Sequence, residues 1–198
     1  MAFEYAIALT GGIATGKSST TAMFMLYGFK FIDADKIAHA LLDAHAHRIG
    51  EIFGQEYLSE GKVNRKKLGG LIFGNPQKKK ELENFLHPLI YKAIEQEAIH
   101  LDGFKKPYII DIPLFFETSR YPIAQSIVVY ATKAQQLERL IKREGFTTQE
   151  ALNRIDAQMD IEAKKQKATY IIDNSRDIKH LQRECERVKE EILEAFHL

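Results

Sequence analysis

The chain is predicted to be an α/β protein, a three-layer sandwich built on a five-stranded parallel sheet. Three observations carry that prediction. Five short apolar runs recur along the 198 residues, separated by stretches with helical spacing, which is the order that βα units require. Between the second and third runs lie about 70 residues without strand signal, too many for a simple crossover and therefore read as an inserted helical segment. The stretch LTGGIATGKSST follows the first run directly and leads into a helix, so its glycines and hydroxyls sit at a strand-to-helix turn.

In chain order, the first strand is Tyr5–Leu9, at most Phe3–Leu9, and the helix after the glycine-rich turn runs Ser18–Leu26 towards Gly28. Phe29–Asp33 is the second strand, expected to lie beside the first. Helices follow over Asp35–Leu42, Ala46–Phe53, Arg65–Phe73 and Gln77–His100, punctuated by Gly54, Gly61, Gly74 and Pro76. Tyr108–Ile112 and Ser126–Ala131 are the next strands. Ala134–Glu144 and Thr148–Lys167 form a helical pair, with Gly145 as the stop and Thr147 and Glu150 as a capping box. Tyr170–Asp173 is the last strand, and a helix from about Arg176 to Phe196 closes the chain. Residues 1–198 thus read as one unit carrying a helical insert over about 36–104 and a helical lid over about 134–167.

Composition narrows the classes of function. With 45% apolar residues the chain can bury a substantial core. Lys+Arg 28 against Asp+Glu 27 leaves no basic signature for nucleic acid. No apolar run reaches membrane-spanning length and no signal peptide is visible, so a cytoplasmic protein is expected, as a monomer or weak homo-oligomer. The single cysteine, Cys185, fits a reducing compartment and reads as a surface or packing thiol.

Gly11-x4-Gly16-Lys17-Ser18 matches the phosphate-loop pattern G-x-x-x-x-G-K-[ST], placed between strand and helix as the motif requires. Its glycines let successive N–H groups turn towards an anion, its lysine adds a point charge, and its serine hydroxyl reaches Mg²⁺. Gly12, Ile13, Ala14, Thr15, Gly16, Lys17, Ser18 and Ser19 are therefore the candidate ATP-binding residues. Ligands of such sheets bind beyond the carboxyl ends of the strands, which directs attention to Thr10, Asp33, Asp35, Asp111 and Asn174. A carboxylate of Asp33-Ala-Asp35 can accept a hydroxyl proton during attack on a γ-phosphate or help hold Mg²⁺, or the acids simply cap the following helix, with Asp35 as the N-cap. Asp111 closes an apolar strand as a Mg²⁺-holding acid does. No N-K-x-D guanine motif occurs, which argues against a switch GTPase.

The helical pair carries Arg139, Arg143 and Arg154 among leucines. Arg139 and Arg143 share a face, an arrangement that favours an intervening anion, and lid guanidiniums stabilise transferring phosphoryl groups. His45-Ala-His47 lacks a third metal ligand and reads as a surface coincidence. Lys78-Lys79-Lys80 reads as a solvated face.

With these residues placed, the chain resembles the dephospho-coenzyme A kinase family almost end to end. Leu9-Thr-Gly-Gly-Ile-Ala-Thr-Gly-Lys-Ser18 resembles the family's L-T-G-G-I-G-S-G-K-S, and Ile32-Asp-Ala-Asp-Lys-Ile-Ala-His39 its I-D-A-D-x-I-A-H. Arg65, Leu68, Ile72-Phe73 and His87-Pro88-Leu89-Ile90 resemble the helical insert. Asp111-Ile-Pro-Leu-Phe-Phe-Glu117 resembles D-I-P-L-L-F-E, and Arg154-Ile-x-x-Gln158 resembles R-I-x-x-Q. Ala14 departs from the usual glycine and adds a methyl near the phosphates, Phe115 replaces a leucine, and Asn174-Ser-Arg replaces N-N-G.

The resemblance implies a three-layer P-loop kinase fold and an ATP- and Mg²⁺-dependent phosphorylation of the ribose 3′-hydroxyl of dephospho-CoA. It implies Asp35 as base, with Lys17, Arg143 and Arg154 as the other catalytic residues, and Ser18 and Asp111 as metal ligands. Asn174 joins the nucleotide-binding set. Thr10, Asp33, His39, Arg65, His87, Asp111, Pro113, Leu114 and Glu117 are the implied acceptor-binding residues. A small-metabolite kinase of the shikimate type and a nucleotide-binding regulatory protein without transfer activity are the competing readings.

Overall fold

The computed structural model describes residues 2–198. Strands β1 (Ala6–Gly11), β2 (Phe31–Asp33), β5 (Tyr108–Asp111), β6 (Gln125–Tyr130) and β7 (Tyr170–Asp173) build the main sheet in the order β2-β5-β1-β6-β7. A short antiparallel pair, β3 (Leu58–Ser59) and β4 (Lys62–Val63), stands apart from it. β1 is buried along its whole length because it is paired on both sides: Leu9 lies opposite Asp111 of β5 and Ile127 of β6. A strand covered on both faces and both edges must be apolar throughout, which is why AIAL precedes the glycine-rich turn.

Strand order corrects one expectation. β2 does not lie beside β1, because β5 inserts between them. The chain leaves β2, builds its helices, and returns as β5 to take the place next to β1. Spatial neighbours need not be sequence neighbours, and no local pattern in Phe29–Asp33 could report this.

The chain divides into two compact units, one of residues up to Ile32 with Ala98–Leu198, the other Asp33–Glu97. In the first, every second residue of three strands (Ile7, Leu9; Ile127, Val129; Tyr170, Ile172) joins a core completed by Phe24 of α1 (Lys17–Leu26). Leu181, Cys185, Val188 and Ile192 of α10 (Ile178–Ala195) close it, at the three-to-four-residue spacing of one helical face. Cys185 is therefore a packing thiol, and burial pushes it up to about 12. Asp177, whose side chain accepts from His180 N, sets where α10 begins.

The lid segment differs from its expected shape. Thr148–Lys167 is not one helix but two, α8 (Thr148–Asp156) and α9 (Ile161–Lys167). Asp160 restarts the chain by accepting from Glu162 N and Ala163 N, an N-cap hidden in an otherwise helical pattern. α7 (Lys133–Glu144) ends at Gly145 with φ 72°, and both α7 and α8 open with capping boxes. α7 and α8 enclose a small core of Leu140, Ala151 and Ile155, against which Ile13 and Ala14 pack.

The second unit holds α2 (Ala34–Ala44), α3 (Ala46–Phe53), α4 (Arg65–Gly74) and most of α5 (Pro76–Asp102). Leu42, Ile49, Phe53, Val63, Leu68, Leu82 and Leu86 form its own core. The β3–β4 hairpin was not expected. Its two-residue strands are too short for any alternation to register, and Glu60 and Gly61 turn it with positive φ of 52° and 76°. Among the described residues, no helix is long and apolar enough to cross a membrane.

Candidate functional site

The glycine-rich turn leaves the sheet at the carboxyl end of β1 and enters α1 through Gly16, whose φ of 94° a side chain would strain. No side chain caps the first turn of α1, so its leading N–H groups stay directed at whatever anion the loop receives. Gly12 is required for a different reason: a Cβ there would overlap Gln136 Oε1, which α7 buries against the loop. Gln136 is fixed by donating from Nε2 to Ala131 O at 3.1 Å.

Lys17 Nζ pairs with Asp111 Oδ1, joining the loop's cation to the acid at the end of β5. Ser18 and Ser19 are exposed on the following turn. Asn174, just after β7, donates from Nδ2 to Thr15 O at 2.8 Å, and its own carbonyl accepts from Arg139 Nη2 at 2.8 Å. The second guanidinium nitrogen of Arg139, Nη1, is buried without a hydrogen-bond partner. Asp173 beside it is placed by Ser175 N at 2.9 Å and His180 Nε2 at 3.5 Å. Burial alone would raise the Asp173 carboxyl, but the Ser175 hydrogen bond and the nearby His180 ring hold it below its ordinary value.

The segment after β5 is tied back to the loop. Thr10 is fully buried and its hydroxyl donates to Pro113 O at 2.8 Å, so Thr10 shapes the Asp111–Leu114 turn from inside. Glu117 accepts at Oε1 from Met159 N at 3.0 Å and pairs there with Lys164 Nζ at 2.8 Å. Lys164 is completely buried, and its ammonium also donates to Gly11 O at 3.0 Å and Pro113 O at 3.2 Å. Gln158 Oε1 accepts from Ile13 N at 2.8 Å.

Two of the lid arginines behave otherwise. Arg143 Nε bonds the neighbouring Glu144 at 2.7 Å, and Arg154 lies 4.3 Å over the Phe146 ring. Sequence reasoning favoured these two, whereas Arg139 is the one held against the loop's support. Lys164 went unnoticed because it sits in the run Lys164-Lys165-x-Lys167, which looks like a solvated face. Its one visible signal is the three-residue spacing from Ile161, the other buried residue of α9.

In the second unit, Asp33 is the N-cap of α2, accepting from Lys36 N at 2.9 Å, with Lys36 Nζ 3.0 Å from its other oxygen. Asp35 lies in the first turn and is exposed, so the capping alternative falls to Asp33. His39 is exposed on α2 and His87 half-buried on α5. Arg65 Nη2 is 3.9 Å from Asp43 Oδ2.

A family model described as dephospho-CoA kinase matches residues 5–180. The chain belongs to the dephospho-CoA kinase family. A dephospho-CoA kinase of Sulfurimonas denitrificans is 57% identical, the match covering 97% of this chain and 96% of that protein. One from Helicobacter pylori is 45% identical over 98% of this chain and 100% of its own length. A solved dephospho-CoA kinase from Campylobacter jejuni superposes with a TM-score of 0.79 at 38% identity, covering 96% of this chain and 98% of that one. Family membership makes this a P-loop phosphotransferase and leaves the shikimate-type and regulatory readings without support.

Proposed function

We propose that the chain transfers the γ-phosphoryl group of ATP to the ribose 3′-hydroxyl of dephospho-CoA, the closing step of coenzyme A formation. The observation that carries the reading is the family match from residue 5 to 180, which spans the phosphate loop, Asp111 and Asn174. The new bond joins the 3′-oxygen to phosphorus, the bond to the β-phosphate oxygen breaks, ADP leaves, and the hydroxyl proton passes to Asp35. In-line transfer of this kind demands positioning and charge stabilisation more than covalent help.

Gly12–Ser19 would cradle the phosphates through backbone N–H groups and Lys17. Asn174 braces that loop, and the unpartnered Nη1 of Arg139 is a donor in reserve for the nucleotide. Arg143 and Arg154 supply charge to the γ-phosphoryl oxygens. Asp33, His39, Arg65, His87, Pro113, Leu114 and Glu117 serve the acceptor, with Thr10 acting through Pro113.

The donor set suits Mg²⁺, since a serine hydroxyl and one carboxylate (Ser18 and Asp111) complement an ion that keeps waters and takes most other ligands from phosphate. Bound there, the ion would neutralise charge on the β- and γ-phosphates. We read the protein as a cytoplasmic monomer or weak homo-oligomer acting on small molecules.

The test is ADP release by the purified protein with ATP, Mg²⁺ and either dephospho-CoA, shikimate, AMP or water as acceptor. Dephospho-CoA alone should raise turnover well above the water background. Equal rates with all four, or preference for shikimate, would overturn the assignment.

A further inference from the structure

The unassigned group with the most built-in chemistry is the ammonium of Lys164. A lysine that is completely buried must have its charge and its three N–H donors met by the protein. Here two carbonyls accept from it, Gly11 O at 3.0 Å and Pro113 O at 3.2 Å, and the Glu117 carboxylate meets its charge with Oε1 at 2.8 Å. These partners belong to three different pieces of the first unit. Gly11 is the last residue of β1 and the first of the phosphate loop. Pro113 lies two residues beyond Asp111, the partner of Lys17. Glu117 belongs to the short helix α6 (Phe115–Thr118) and also receives Met159 N from the α8–α9 joint.

Pure packing would need none of this, because a methionine fills similar volume without a charge to compensate. A buried ion pair is weak evidence for stability and better evidence for fixing one arrangement of the groups around it. The arrangement fixed here is the width of the gap between the start of the phosphate loop and the turn carrying Asp111.

We propose that Lys164 is a positioning residue for phosphoryl transfer. It pins the first peptide of the phosphate loop to the turn after β5, so that Asp111 and Lys17 meet where the phosphates bind. It touches no reacting atom and acts through Gly11, Pro113 and Glu117. The proposal rests on the kinase reading for its effect on turnover, whereas its effect on ATP affinity does not depend on the acceptor.

The experiment compares Lys164→Met with the double variant Lys164→Met/Glu117→Gln, which removes both charges of the pair. Three quantities are read: Tm, the Kd for ATP by equilibrium dialysis without acceptor, and kcat with KM for both substrates. Lys164→Met should lower Tm, because the half-buried Glu117 is left without its counter-charge, and should weaken ATP binding at least about fivefold and kcat at least about tenfold. The double variant should regain most of the lost Tm yet keep the weakened ATP binding, since the tether on Gly11 is still missing. A merely structural lysine gives another result: ATP affinity returns together with Tm. That outcome would overturn the proposal, as would a folded Lys164→Met with ATP affinity and kcat within twofold of wild type. Failure of both variants to fold would overturn it too, by assigning the ammonium to the fold rather than the site. If wild type bound ATP but failed to phosphorylate dephospho-CoA, the functional reading would fall while the ATP-affinity result still judged Lys164.

Discussion

The two units hold their polar residues in opposite ways. Around the phosphate loop most candidate polar groups already have protein partners: Lys17 Nζ has Asp111, Thr15 O has Asn174, Ile13 N has Gln158, and Glu117 has Lys164. In Asp33–Glu97 three of the candidates are exposed, Asp35 and His39 on α2 and Arg65 at the start of α4, where the ion pair to Asp43 spans 3.9 Å, while Asp33 caps α2 and His87 is half-buried. The first arrangement is preorganised, its groups locked before a ligand arrives. The second leaves donors and acceptors in water for a ligand to collect. Preorganised charge contributes to the rate of the chemical step, whereas groups recruited by a ligand contribute mainly to its binding.

Substitutions can break or sharpen that contrast. The largest effect is expected from Lys17→Ala, which removes the loop's cation: kcat should fall at least about a thousandfold, with KM for dephospho-CoA little changed. Near-wild-type turnover in steady-state assays would displace ATP from this loop. Asp35→Asn comes next, and it is the exception the contrast must accommodate, an exposed residue to which the proposed reaction assigns a chemical role. We expect a loss of about a hundredfold in kcat with Tm essentially unmoved, because Asp33 already caps α2. A full-rate Asp35→Asn enzyme would remove the base assignment.

Asn174→Ala should raise the Kd for ATP by about five- to tenfold, the worth of one hydrogen bond of about 1 kcal/mol to Thr15 O. Unchanged nucleotide binding in a titration would show that the loop keeps its shape unaided. Arg65→Ala should be mildest, about threefold on KM for dephospho-CoA and nothing on ATP, as suits an exposed cation with a distant partner. An effect on ATP instead would erase the distinction between the units.

How far the sequence anticipates this follows from the range of each interaction. The five strands were legible because each is a short, mainly apolar run, and the phosphate loop because its backbone needs glycine at fixed offsets. Strand order was not, since the exchange of neighbours between β1, β2 and β5 depends on contacts about 100 residues apart. The break between α8 and α9 was hidden because Asp160 reads equally as a solvated helical residue and as a cap. Within the candidate site, Lys17, Asp111 and Asn174, each of which the structure ties to a partner around the loop, were singled out by motif and by their places at strand ends. Lys164 and the service of Gln158 to Ile13 N were not, because a lone polar residue reveals its burial only when the chain has folded around it. Arg139 was visible as one of three lid arginines, but periodicity gave no means of ranking it above Arg143.

Ala14 carries a consequence of its own. It adopts φ of 60°, a left-handed conformation that costs an L-residue about 1 kcal/mol, and its methyl packs against the Leu140–Ile155 cluster rather than standing idle. Glycine at this position would relax the folded loop but give up that contact. It would also enlarge the set of conformations open to the unfolded chain, a further cost of about 0.4–1 kcal/mol. The opposing contributions nearly cancel, so the equilibrium stability of the two loops should be close while their entropies differ. A loop with alanine here is expected to sample fewer conformations than one with glycine, its order gained at the expense of local strain, so less of the ordering is left for a ligand to impose.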